Sequence, residues 1–275
     1  MVKIEGQNLG EVSAELKKLS DYNSIYNWVD DSKKKNEISK LENLYLNLCN
    51  HVNEFKIKPM EIDQNEQVII QKNMINHRCS NNLEVLQTIS QYGILASEWF
   101  GKLESEQEGC FCTFISRMKD DDYNCNFRGD LAEDNFSRLN KGDDVLLFFD
   151  EDNPIMKYLL HLDYFEFEYQ KSCNPNYKQL YTDSELSLLE NLIEPLSPVG
   201  NDMRQNFDWK TNYWSAIPGG IPSSLVTGVC IKNNTFTDSE IDLINSYFPK
   251  AVIFDSKQNV VRYPSQLVDK TERQM

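Results

Sequence analysis

Near Pro59 the hydrophobic period of the chain changes, and that change limits the folds open to it. From Leu9 to about Phe55 apolar residues recur every three to four positions. Leu16, Leu19, Ile25 and Trp28 form one set, and Ile38, Leu41, Leu44, Leu46, Leu48 and Val52 a second, which predicts two or three amphipathic helices. The mixed-charge run DDSKKKNE, Asp30 to Glu37, reads as a solvated turn between them. Beyond Pro59 the stretch EQVIIQKNMINHRC has the texture of a strand, and six later segments also read as strands: Gly109–Met118, Asp143–Asp150, Tyr164–Lys171, Ser224–Lys232, Ala251–Asp255 and Val260–Pro264.

Helical patterns fall irregularly among these strands, over Asn153–Leu162, Thr182–Leu196 and Thr237–Phe248. A regular βαβ alternation is therefore not supported, and the pattern predicts an α+β fold. We place a boundary near residue 65, between a helical N-terminal segment (1–65) and an α+β domain (66–275). Two of the helices open on Thr-Asp-Ser-Glu, which predicts that Glu185 and Glu240 close capping boxes rather than act in catalysis.

Charge and cysteine usage narrow the function classes. A net charge of −15 argues against passive binding to duplex nucleic acid or anionic lipid, both of which reward basic surfaces. The seven cysteines (49, 79, 110, 112, 125, 173 and 230) are odd in number and dispersed, without paired CxxC spacing, so reduced thiols in the cytoplasm are expected. The opening residues lack the apolar core of a signal peptide, and no run of about 18 apolar residues suggests a membrane span. With three histidines, His51, His77 and His161, a histidine-rich metal centre is not expected. Phosphate-binding glycine loops, HExxH and the GxSxG elbow are all absent.

The stretch NHRCSNNLEVLQTISQYGIL, Asn76 to Leu95, joins a strand end to a helix. Packing and capping explain most of it: Ser80 or Asn81 caps, Leu83, Leu86 and Ile89 face the core, and Gly93 ends the helix in a left-handed conformation. They do not explain why His77 and Arg78 stand together before Cys79, Ser80 and Asn82, where side chains and free helix amides can converge on an anionic ligand. The segment Ser97–Gly109 reads either as a solvated acidic loop or as a mobile lid carrying Trp99 and Phe100. IPGGIP reads as a tight turn between strands.

These residues carry a family resemblance. HRCS, followed by Asn-Leu, Ile and Gly-Ile-Leu, resembles the first NAD-binding motif of the ADP-ribosyltransferases. CFCTFISR resembles the next strand of bacterial, DNA-modifying members, and NYWSAIPGGIPSSLVTGVCI, Asn212 to Ile231, resembles the late strand-turn-strand of the same fold. The resemblance implies a mixed or antiparallel sheet of ADP-ribosyltransferase type, NAD as cofactor, and transfer of ADP-ribose to a nucleic acid or protein, as in a bacterial toxin or defence effector. It also implies roles for individual residues. His77 would bond the nicotinamide ribose, and the backbone of Arg78 or Cys79 would grip the carboxamide. Ser80 and Asn82 would support the pocket or a phosphate, Arg117 would be a second anion-binding group, and Phe111 or Phe114 would pack on the nicotinamide ring.

The chain departs from the family at one point: Asn212, Tyr213 and Trp214 stand where such proteins carry Glu. Asp208 is the nearest upstream acid and becomes the candidate catalytic carboxylate, with Glu98, Glu166 and Glu168 as more distant alternatives. Two other readings stay open. One is an inactive relative that binds a nucleotide, a peptide or a protein partner through its acidic surface, and the other is an NAD hydrolase.

Overall fold

A computed structural model describes residues 43–52, 54–70, 74–95, 112–117, 145–193, 214–232 and 235–266. It combines helices with a mixed sheet, so the α+β class read from the sequence holds. The chain divides into two compact units that interleave in sequence. The first takes residues up to Asn53, Ile94–Phe114 and Lys157–Ile221; the second takes Glu54–Gly93, Ile115–Met156 and the chain from Pro222 onward. Position 65 thus falls within a continuous stretch of the second unit.

In the second unit β1 (Ile75–Cys79), β4 (Val145–Phe149), β7 (Val226–Ile231), β8 (Val252–Asp255) and β9 (Val260–Arg262) lie in that order, and the end of β3 (Cys112–Arg117) pairs with β1 on its other side. Neighbours run antiparallel except β7 and β8, which are parallel. Helix α6 (Asp238–Tyr247) links those two parallel strands and packs on β8 and on α2 (Leu83–Tyr92). The β4 sequence VLLFF is apolar throughout because all five residues are buried, which a continuous rather than alternating run signals.

Pairing partners share a sheet face, so register sorts the core into two layers. Leu146 and Phe148 of β4 lie with Cys230, Val252 and Phe254, and onto them fold Met60 and Val68 from the segment before β1. Phe148 and Phe254 rings are 5.6 Å apart and tilted, a favourable aromatic arrangement. Val145, Leu147, Val229 and Ile253 form the opposite layer and are also fully buried. The Met60 segment is anchored by backbone bonds from Val68 to Gln258 (2.8 Å) and from Val260 to Glu66 (3.0 Å). A buried carboxylate at the end of β4, Asp150, adds an anchor by accepting the Lys58 amide at 2.7 Å. Where Met60 crosses β7, Gly228 makes room: a Cβ there would lie 2.0 Å from the Met60 sulfur and 3.2 Å from the Phe254 ring.

In the first unit, residues 43–52 form helix α1, burying Tyr45, Leu46, Leu48 and Val52. The earlier helical pattern, from Leu9, lies outside the described residues. Burial pushes the Cys49 thiol up to about 12, partly offset by a hydrogen bond with Tyr45, so this cysteine stays protonated. Among the described residues Cys49, Cys79, Cys173 and Cys230 form no disulfide. Helix α3 (Pro154–His161) starts on Asn153, whose Oδ1 accepts the Ile155 amide at 2.9 Å.

One strand reading is overturned. Tyr164–Lys171, with its alternating aromatic and acidic residues, forms helix α4 (Tyr164–Cys173) instead. The Asp163 carbonyl accepts the Phe167 amide at 2.9 Å, and Gln170 donates to Glu166 one turn earlier at 2.7 Å. Phe167 is fully buried with Leu162, Tyr181 and Leu189, edge-on to Tyr177 and Tyr181. Burying such a ring contributes about 1.5–3 kcal/mol, whereas helix propensities differ by tenths of a kcal/mol per residue, so packing decides this segment.

The capping boxes form as expected. In α5 (Asp183–Ile193) Glu185 accepts from the Thr182 amide (2.7 Å) and hydroxyl (2.8 Å), and in α6 Glu240 does the same with Thr237 (2.7 and 2.8 Å). Burial of Glu185 would raise its pKa, but the Thr182 bonds, a bond from Tyr158 and the nearby His161 outweigh it and hold the carboxyl below its ordinary value. The lowered folded-state pKa means that this stabilisation is present above the ordinary value, about 4.3, and is lost as pH falls through the folded value. Chemical denaturation of Thr182→Ala at pH 7 is expected to show a loss of about 1 kcal/mol, and a smaller loss at pH 3. Gly228→Ala is expected to cost about 1–3 kcal/mol, and part of that loss returns in Gly228→Ala/Met60→Ala if the Met60 side chain is what the new methyl strikes.

Candidate functional site

In the second unit the residues from His77 to Asn82 occupy the β1–α2 junction. Strand pleating sends neighbouring side chains to opposite faces. His77 pairs with Leu147 and Cys79 with Val145, so both lie on the Ile75 face; Arg78 pairs with Leu146 and lies with Asn76 on the other. The His77 and Arg78 side chains therefore leave β1 on opposite faces of the sheet. A backbone role for Arg78 or Cys79 is unaffected by this alternation. His77 and Arg78 are half-buried, and Cys79 is buried.

Ser80 and Asn82 serve the helix start. The Ser80 hydroxyl accepts the Asn82 amide at 3.1 Å, and Asn82 Oδ1 accepts the Glu84 amide at 2.8 Å. The cap is thus Asn82, not Ser80 or Asn81, because its extended backbone (φ −71°, ψ 122°) aims its side chain at the first turn. Leu86, Ile89 and Tyr92 are buried, while Leu83 is only half-buried. Gly93, at φ 85° and ψ −176°, donates to the Ile89 carbonyl at 2.8 Å and turns the chain out of the helix, a conformation that favours glycine.

Arg117 stands opposite Ile75 on β3, two residues before His77 in the β1 register. At about 3.3 Å per residue this is about 7 Å along the strand from His77 and about 16 Å from Ser80. Glu151 accepts the Ile75 amide, placing a carboxylate at the same end of β1. Only its position just after the apolar VLLFF run marks Glu151 in the sequence.

In the first unit β2 (Ile94–Leu95) pairs antiparallel with β6 (Gly220–Ile221), so the end of the Asn76–Leu95 stretch meets the IPGGIP turn. That turn leaves β5 (Trp214–Pro218) as expected, but its two glycines answer different demands. Gly219 adopts φ 78°, while a Cβ on Gly220 would come within 2.7 Å of the Ile94 carbonyl and 2.9 Å of Leu95. Thr113 of β3, buried, donates its hydroxyl toward the carbonyls of Ile94 (3.2 Å) and Gly219 (3.4 Å). Asp163, also buried, accepts the Ala216 amide of β5 at 3.1 Å, and α4 packs against that strand. Thr113 and Asp163 lie more than ten residues in sequence from these partners, and no local pattern marked either.

The carboxylates divide as follows. Glu166 is exposed and bonded to Gln170, Glu168 is buried on α4, and Glu185 and Glu240 cap helices. Asp208, Asn212, Tyr213, Glu98, Phe111 and the Ser97–Gly109 segment lie outside the described residues. Phe114 and Arg117 belong to β3, where the backbone position alone is described. His161 bonds the Leu180 carbonyl at 3.1 Å and stacks on Tyr181 with ring centres 5.0 Å apart, and His51 is an exposed residue of α1. Among the described residues no group of three or more His, Cys, Asp or Glu is placed to hold a metal ion, and no helix is long and apolar enough to cross a membrane.

Gly220→Ala is expected to weaken the β2–β6 pairing, because the rigid Ile94 carbonyl cannot give way as a side chain can; loss of amide protection at Ile94 and Ile221 in hydrogen exchange measures it. Thr113→Val is expected to cost about 1–3 kcal/mol by stripping a buried donor from two carbonyls, read from the denaturation midpoint.

No protein-family model, no curated protein and no solved structure matches the chain.

Proposed function

We propose that this protein is an NAD-dependent ADP-ribosyltransferase that modifies a nucleic acid or a protein, acting in the cytoplasm as a bacterial toxin or defence effector. One observation carries the reading. Three stretches that resemble the family's motifs, far apart in sequence, are joined through β2–β6 pairing and the Thr113 hydroxyl, which reaches the carbonyls of both Ile94 and Gly219. The meeting of the segments around residues 94, 113 and 220 in the first unit is what supports the reading.

In this reading His77 bonds the nicotinamide ribose, and the Arg78 or Cys79 backbone holds the carboxamide. Ser80 and Asn82 keep the β1–α2 junction in shape, a structural use that their observed bonds support. Arg117 supplies a second anion-binding group, and Phe111 or Phe114 covers the nicotinamide ring. The C–N bond between nicotinamide and ribose breaks first, nicotinamide leaves, and the acceptor attacks the positively charged anomeric carbon. A carboxylate lowers the barrier by holding a ribose hydroxyl and countering that charge. Asp208 is the candidate for this role.

A second reading follows from Asn212, Tyr213 and Trp214 at the place of the family's Glu: a protein that binds a nucleotide or a partner without turnover. A third is NAD hydrolysis. Incubation with NAD and candidate DNA, RNA and protein acceptors separates the three. Labelled acceptor supports transfer, nicotinamide release alone supports hydrolysis, and NAD binding without either supports the inactive form. By calorimetry His77→Ala and Arg117→Ala are each expected to weaken NAD binding about tenfold, the loss of roughly one hydrogen bond; unchanged affinity in both removes this pocket. In a demonstrated transferase Asp208→Asn is expected to lower turnover on the order of 100-fold while the protein stays folded, and full activity rejects Asp208 as the acid.

A further inference from the structure

We draw no further inference here: the strongest candidate, the side-chain cluster in the first unit where Tyr177 donates to Glu190 at 3.2 Å beside the buried Glu168, is an acidic cluster with nothing in the structure that points to a ligand.

Discussion

Strand β4 must be covered on both faces, and the second unit is built around that requirement. Its five residues are all buried, so each face of the sheet needs a layer of its own. The Met60–Val68 segment supplies one for Leu146 and Phe148, and it reaches them only because Gly228 leaves a gap above β7. On the opposite face Val145 and Leu147 are as deeply buried, next to Val229 and Ile253 of the neighbouring strands. A sheet whose described pairings are antiparallel except for β7 with β8 is what a mixture of strand runs and unevenly spaced helices produces.

Pleating then fixes what the β1–α2 junction presents. With β1 held in register against β4, His77 shares a face with Cys79, and Arg78 with Asn76. Ser80 and Asn82 are used by the helix itself, since an N-cap lacking a side-chain acceptor costs about as much as a typical buried hydrogen bond contributes. The side chains of His77 and Arg78 therefore leave β1 on opposite faces of the sheet.

The parts legible in the sequence were those fixed within a few residues. Thr182 with Glu185 and Thr237 with Glu240 are three residues apart, so their boxes close wherever a helix begins. Gly93 and Gly219 take positive φ where a helix ends and a turn begins, positions that the neighbouring residues already mark. The VLLFF run could be read as a fully buried strand because no position in it needs water. Tyr164–Lys171 misled for the converse reason: its period of two is too short to exclude a helix, and its fate rested on Phe167 meeting Tyr177, Tyr181 and Leu189.

By itself the sequence determined the α+β class, the capping boxes that start α5 and α6, the central strands and the turn at Gly219 and Gly220, because these follow from local hydrogen bonding and hydrophobic period. Tertiary structure alone decided that α4 is a helix, that Gly220 is required by the Ile94 carbonyl, that Thr113 joins two distant carbonyls and that His77 and Arg78 part company. Each of these depends on register or on contact between groups remote in sequence, and a residue's own neighbours along the chain carry no record of which surface it will meet.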